Sequence, residues 1–316
     1  MDYKNHYSVM KQNILQILSE NFKDEESLSL LDLTFGAGGH SFSFLEKFIN
    51  AKVVGFDQDP EALKNGYERI KRSDHRDRIQ LIDSNFCFLE KYYKKGLQFD
   101  GILLDAGVSS HQFDSGERGF SFRFDGPLDM RMNPKDEVSA ADLCNSLSMT
   151  ELYEIIKEYG EEKFAKNIAK GIVKKRDESP LKRTSELEDI CFHAYPKNMR
   201  HGKIHPATKT FQAFRIKVNN ELGVLTDVIG QSIERLKEGG LFMVISFHSL
   251  EDRIVKHAFK NWKKEDYPIE ILTKKPILPS SLEINENSRS RSAKLRVVRR
   301  LKEWPSKNKY FSQKGV

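Results

Sequence analysis

Short apolar runs alternate with amphipathic stretches through the first third of the chain. Leu28 to Leu33, Lys52 to Phe56, Ile79 to Ile82 and Gly101 to Leu104 are rich in aliphatic residues, stop at turn residues and read as strands. Between the first three, Phe42 to Ile49 and the stretch from Pro60 into Lys71 carry apolar residues at helical spacing. Strand and helix in alternation predict a parallel sheet covered by helices. The rhythm stops near Phe113. From there to Lys209 a Gly/Arg/Phe/Asp-rich loop leads into helical stretches, Thr150 to Tyr159 and Glu161 to Arg176, punctuated by Pro180, Pro196 and Pro206. A helix from about Thr210 to Lys237 then leads through Glu238, Gly239 and Gly240 to the best strand of the chain, Leu241 to Ser246. Ile269 to Thr273 and Lys294 to Leu301 supply two more. No internal repeat is visible, which argues against a solenoid. The pattern predicts an α/β fold, a doubly wound seven-stranded sheet interrupted after strand four. Its main domain spans residues 1–112 and 210–316, with an inserted helical domain over 113–209.

Composition narrows the class. A chain of 316 residues that is 38% hydrophobic and 31% charged can bury a full core and is neither disordered nor fibrous. Its longest clean apolar run, Leu241 to Ile245, is far too short for a bilayer, and the amino-terminal stretch lacks the apolar core of a secretory signal. A cytoplasmic location is the expectation. Cys87, Cys144 and Cys191 lie far apart without a C-x-x-C pair, so neither a disulfide framework nor a zinc site is expected, and the metal expectation is none.

Charge is unevenly spread. From Asn287 to Val316 ten Lys/Arg face Glu303 alone, a local charge of +9 in a chain whose net charge is +6. Lys163, Lys166, Lys170 and Lys174 recur at helical spacing, with Phe164, Ile168 and Ile172 roughly opposite. Such a helix would bury its apolar side and offer a basic ridge to a polyanion, although a solvated face gives the same pattern.

The chemistry concentrates at strand ends. Strand one runs into Thr34-Phe35-Gly36-Ala37-Gly38-Gly39-His40 with a helix directly after, and the second strand ends at Asp57, 21 residues beyond Gly36. Glycines let the backbone turn sharply against a ligand, and an acid about 20 residues on suits ribose hydroxyls, so an adenosine-containing cofactor is expected. Ser41 stands where a dinucleotide fingerprint wants glycine or alanine; spacing leaves both S-adenosylmethionine and NAD open. Asp105 ends strand four at the crevice where ligands collect in open α/β sheets, available to contact the group that receives the transfer, or to cap its own turn. His248, after strand five, is a candidate proton relay or a structural hydrogen-bonding residue. Ser246 and Ser249 sit outside any G-x-S-x-G elbow and are not read as nucleophiles. Phe120, Phe122 and Phe124 either line a base pocket or pack the insertion.

Nine stretches together resemble the bacterial methyltransferases that modify the exocyclic N4 amine of a cytidine in small-subunit (16S) ribosomal RNA, the MraW or RsmH family. They are HYSVM from His6, TFGAGGHS from Thr34, GFDQDP from Gly55, FDGILLDAGVSSHQ from Phe99, GERGFSFRFDGPLDMRM from Gly116, YGEEKFAKNIA from Tyr159, HPATKTFQAFRI from His205, VISFHSLEDRIVK from Val244 and SRSRSAKLR from Ser288. The resemblance implies a class I, Rossmann-like fold dependent on S-adenosylmethionine, S-adenosylhomocysteine as product, and a cytidine in the decoding region as target. It implies that Gly38, Gly39 and His40 contact the methionine end of the donor, that Asp57 holds the ribose, that Phe86 lines the adenosine site, and that Asp105 and Gln112 complete the donor contacts. Ser8, Ala106, His111, Lys209 and Ser288 depart from the family pattern. Asp105 and His248 are then the catalytic candidates. Lys163, Lys166, Lys170, Lys174, Lys209, Arg215, Arg289 and Arg291 are the candidates for gripping RNA phosphates. The expected partner is 16S rRNA, with no membrane and no DNA; monomer and homodimer both stay open. A nicotinamide dehydrogenase would leave the basic clusters without a role. A DNA amino-methyltransferase would want [DNS]-P-P-[YFW] where Asp105-Ala106-Gly107-Val108 stands. A non-catalytic RNA-binding protein would leave the donor-site residues without one.

Overall fold

The computed structural model describes residues 8–92, 97–108, 110–264 and 267–302. His6 and Tyr7 of the first motif, Ser109, and the basic residues Lys307, Lys309 and Lys314 lie outside the described residues, as do the side chains of Cys87 and His111. Along the chain the elements are α1 (Lys11–Asn21), β1 (Ser29–Asp32), α2 (Gly39–Lys47), β2 (Lys52–Asp57), α3 (Pro60–Arg72), β3 (Ile79–Asp83), α4 (Leu89–Tyr92) and β4 (Phe99–Asp105). There follow α5 (Ser110–Asp114), α6 (Ala140–Ser146), α7 (Met149–Gly160), α8 (Ala165–Glu178), α9 (Thr184–Ala194), α10 (Thr208–Val218) and α11 (Glu221–Glu234). The chain ends with β5 (Leu236–Ser246), α12 (Ser249–Lys264), β6 (Ile269–Ile271), α13 (Ser281–Glu286) and β7 (Lys294–Arg300).

Two compact units divide these elements, one of residues 1–107 and 224–316, the other of 108–223. The first holds a seven-stranded sheet in the order β3-β2-β1-β4-β5-β7-β6. Strands β1 to β5 pair in parallel, and β7 runs antiparallel between β5 and β6. Side chains alternate across each strand, so Leu103, Leu241, Met243 and Ile245 enter one core and Ile102, Leu104, Phe242 and Val244 the other. A sheet covered on both faces needs near-continuous apolar strands, which is why the strand pattern is so readable. No helix among the described residues is long and apolar enough to cross a membrane.

The second unit is helical, with Leu152, Ile156, Ile168, Ile172, Leu187, Phe211 and Phe214 in its core. Ser148 and Glu151 form a reciprocal capping box that starts α7. Cys144 and Cys191 are buried and free here, and burial drives both thiols far up, Cys191 to about 12, as expected of inert core residues.

The single helix expected from Thr210 to Lys237 is two. Asn219 Nδ2 donates to the Met130 carbonyl (2.8 Å), its Oδ1 accepts from Met132 N (2.7 Å), and Asn220 is left-handed at φ +47°. A side chain bonded to a loop some 87 residues earlier ends α10 in a way that local periodicity cannot register. The two units meet in the chain at 107/108 and 223/224, and α10, which packs on α7 and α6, lies in the helical unit. Strand β5 also starts earlier than expected, at Leu236.

Candidate active site

Strand order reverses between β1 and β4, where crevices form beyond the carboxyl ends of parallel strands. The loop after β1 is fixed there by its own backbone. Phe35 N donates to the Phe56 carbonyl (2.8 Å), Gly38 N to the Phe35 carbonyl (2.7 Å) and Gly36 N to Asp57 Oδ2 (2.7 Å). Gly38 sits at φ +75°, and a Cβ there would stand 2.6 Å from Phe35 Cζ and 3.0 Å from the Phe42 ring. Arg69 of α3 donates to the Ala37 carbonyl (2.6 Å) while its guanidinium lies 4.0 Å over the Phe42 ring. The loop is thus a rigid cradle leading into the first amides of α2, which helix geometry leaves free for an anionic group.

Asp57 ends β2. Its Oδ1 accepts from Asp59 N (2.9 Å) and its Oδ2 from Gly36 N. Burial pushes its carboxyl up to about 6, with the amide hydrogen bonds from Asp59 and Gly36 pulling the other way. Phe86 opens the short turn after β3, half-buried against the second core. Asn85 Nδ2 donates to Gln58 Oε1 (2.8 Å), tying the loops after β2 and β3 together.

Deeper in the crevice lies a buried polar group. His40 is 6% exposed, and neither ring nitrogen has a hydrogen-bond partner; its Nε2 is 3.8 Å from Asp105 Oδ2. Asp105 Oδ1 is buried and likewise unpartnered. Its backbone N–H donates to Thr34 Oγ1 (2.8 Å), which ties the end of β4 to the glycine loop. Behind them Asp32, buried, accepts from Ser41 Oγ (2.7 Å) and Thr34 N (3.2 Å). Burial raises its pKa, opposed first by His40. Sequence reasoning missed Asp32 and Thr34. Their only signal is position within the glycine motif, since the contacts that define their roles cross between strands. Unpartnered buried polar atoms are costly and in native proteins await a ligand or water. Asp105 Oδ1 suits an ammonium or amine, His40 a carboxylate, and Asp57 a pair of hydroxyls. His40 and Asp57 therefore fit the carboxylate and the ribose diol of S-adenosylmethionine, and Asp105 Oδ1 fits either its ammonium or an amine that receives the methyl.

The remaining sequence candidates divide. Gln112 is buried in the second unit. His248 is held in a local turn: its Nδ1 accepts from Glu251 N (3.3 Å), its Nε2 lies 3.1 Å from Glu251 Oε1, and Glu251 Oε2 accepts from Phe247 N (2.7 Å) and His248 N (3.3 Å). His248 Nε2, buried, makes no hydrogen bond despite that contact, so the proton-relay and structural readings of this residue both stay open. Phe120 is buried; Phe122 stacks on His205 at 4.6 Å and meets Phe211 edge-on, so both pack the insertion, whereas Phe124 is exposed.

Among the expected phosphate contacts, Lys163, Lys166, Lys170 and Lys174 are exposed, the last three on α8 opposite fully buried Ile168 and Ile172. Lys209 donates to the Glu161 carbonyl (2.8 Å). Arg215 does not belong with them. It is buried and grips Glu221 with both arms of its guanidinium, at 2.7 and 2.8 Å. The carboxy-terminal cluster is also partly spent: Arg296 and Lys294 pair with Asp252, Arg299 with Glu270 and Asn21, and Arg300 with the Leu236 carbonyl. Arg291 is exposed and Arg289 half-buried in the turn before β7.

Compared with known proteins, residues 3–301 match the model of the MraW methylase family. A protein of Sulfurihydrogenibium sp. named ribosomal RNA small subunit methyltransferase H is 49% identical over 298 residues, covering 94% of this chain and 99% of the relative. The protein of the same name from Leptospira interrogans is 44% identical over 315 residues, covering 98% and 93%. Among solved structures, an rRNA methylase from Streptococcus thermophilus aligns over 92% of this chain and 95% of its own, with a TM-score of 0.42 at 12% identity.

Proposed function

The chain belongs to the MraW methylase family, and from that premise we propose that it transfers the methyl group of S-adenosylmethionine to the N4 amine of a cytidine in 16S ribosomal RNA. The site is in the decoding region, methylated within the small subunit in the cytoplasm. The observation that carries the reading is the set of unpartnered buried atoms, His40 Nδ1 and Nε2 and Asp105 Oδ1, beside the rigid loop of Gly36 and Gly38. A sheet that needed only stability would have no use for them.

Bound there, the donor supplies an electrophilic methyl on a sulfonium. Gly38, Gly39 and His40 hold its methionine end, Asp57 its ribose and Phe86 one face of its adenine. The cytidine N4 lone pair is delocalised into the ring and attacks poorly until that conjugation is loosened. Asp105 accepts an N–H hydrogen bond through Oδ1, which favours a more pyramidal nitrogen. In-line displacement would form the N4–methyl bond as the methyl–sulfur bond breaks, with S-adenosylhomocysteine as the leaving group and the surplus N4 proton passing to Asp105 or solvent. It needs distance and alignment above all, and such positioning can contribute about 7–11 kcal/mol. Thr34, holding the Asp105 amide, and Asp32, beside His40, set that alignment. The target base must leave its stack, at a cost of roughly a few kcal/mol. Lys163, Lys166, Lys170 and Lys174, with Lys209, Arg289 and Arg291, attract the RNA backbone.

The test is incubation with labelled donor and small ribosomal subunits lacking the modification, followed by mapping of methylated nucleotides. N4-methylcytidine at one site with the wild type, and none with Asp105→Asn at unchanged donor affinity, is the expected result. Loss of donor affinity instead would assign Asp105 to the methionine ammonium. No labelled cytidine with the wild type would overturn the reading.

A further inference from the structure

From Ile190 to Asn220 the chain has no Asp or Glu but six Lys/Arg: Lys197, Arg200, Lys203, Lys209, Arg215 and Lys217. Arg215 is spent on Glu221. The first three lie on the loop that follows α9, with Lys197 and Lys203 exposed. The Arg200 guanidinium lies 5.2 Å from the Phe192 ring centroid, anchored by the Tyr195 carbonyl (3.0 Å) and the His193 carbonyl (3.4 Å). His201 meets the same Phe192 ring edge-on at 5.7 Å. Met199 and Ile204 stand 44% and 60% exposed among these cations. The nearest acids in sequence, Glu188 and Asp189, face His205 (3.3 Å) and His193 (3.1 Å).

This loop also joins the basic ridge. Phe164, next to Lys163, packs its ring 4.4 Å from that of Tyr195, whose hydroxyl donates to Glu162 Oε2 (2.7 Å). The turn before α8, which carries Lys163, therefore packs against the end of α9, from which the loop with Lys197 and Lys203 departs. A planar guanidinium on an aromatic ring, flanked by mobile ammonium groups and exposed apolar side chains, matches the chemistry that holds unstacked nucleotides. An acidic protein surface would use the charges but not the stack.

We propose that residues 192–205 form a second contact surface, for single-stranded RNA, with Lys197 and Lys203 on phosphates and an unstacked base on the Phe192–Arg200 pair. The proposal rests on the reading of ribosomal RNA as substrate. The full chain would be titrated, by fluorescence anisotropy over a potassium chloride series, with a short labelled single-stranded RNA and with a duplex of the same length. Lys197→Ala with Lys203→Ala should reduce the log–log salt slope on the single strand by about 1.4, about 0.7 per lysine. Phe192→Leu should weaken single-strand binding roughly tenfold and leave the duplex nearly unchanged. Thermal melting confirms that the Phe192 variant is folded, and the exposed lysine pair tests the surface independently of it. An unchanged slope and affinity in the lysine pair would overturn the proposal. If Lys166→Glu with Lys170→Glu weakened binding while the loop variants did not, the surface would fall and the substrate reading would stand. A wild type that neither bound these RNAs nor methylated small-subunit RNA would remove the substrate reading itself.

Discussion

Replacing Arg215 by alanine separates a structural cation from an RNA-binding one. Its side chain and that of Glu221 are 10% and 8% exposed, and the two are joined by a bidentate pair at 2.7 and 2.8 Å. Truncation strands the Glu221 carboxylate without its partner, and breaking a buried pair from one side costs about 3–5 kcal/mol. At about 3–4 °C per kcal/mol for a unit of this size, the melting temperature should fall by roughly 10–20 °C. Arg215→Met combined with Glu221→Leu removes both charges while keeping apolar bulk, and should recover most of the loss. Differential scanning calorimetry of the wild type, Arg215→Met, Glu221→Leu and the double variant completes the double-mutant cycle. RNA affinity of the folded fraction and its salt slope should not change. An unaltered melting temperature together with a salt slope reduced by about 0.7–0.9 would refute the reasoning and return Arg215 to the phosphate contacts.

Four further outcomes are expected. Asp57, held at about 6, should accept ribose hydroxyls only when ionised, so calorimetric donor affinity should decline as pH falls through about 6; Asp57→Asn should abolish that dependence. Its folded pKa lies above the ordinary 3.8, so the folded chain keeps a proton that the unfolded chain has released between those values. Stability then falls as pH rises across that window, and Asp57→Asn should melt higher than wild type near pH 7 but similarly near pH 4. Gly38→Ala must place a Cβ 2.6 Å from Phe35 at φ +75°; a stability loss of at least about 1–2 kcal/mol and a collapse of donor binding are expected, and normal binding would count against the cradle. Charge reversal at Lys166 and Lys170 should weaken RNA binding and flatten its salt dependence while donor affinity holds.

Much of the sheet was legible because its central strands, β4 and β5 above all, are buried on both faces and carry apolar runs that need no distant information. Ile79 to Ile82 and Lys294 to Leu301 were read to within a residue of the strands Ile79–Asp83 and Lys294–Arg300. The glycine turn and Asp57 were legible for a related reason: a strand, a tight turn and a helix follow one another directly, and their spacing fixes the distance to the next strand end. The helices α1, α4, α5, α6, α9, α12 and α13 were not read. The runs that form α1 and α9 carry weak helical periodicity and are held by tertiary burial, whereas Ser249–Lys264 is strongly amphipathic and its periodicity was legible but not used.

What the sequence determined by itself is the order of the strands, the turn geometry demanded by Gly36 and Gly38, and the family that such an ordered set of motifs resembles. Tertiary structure decided which polar groups are satisfied. Asp252 reaches across 44 residues to neutralise Arg296, Glu221 claims Arg215 across a helix break that Asn219 creates, and Asp105 and His40 come together with nothing to bond. A charge has the same letter whether it is paired, buried or open to RNA. Only the folded chain, by setting the distance to its opposite charge and the water around it, tells these apart.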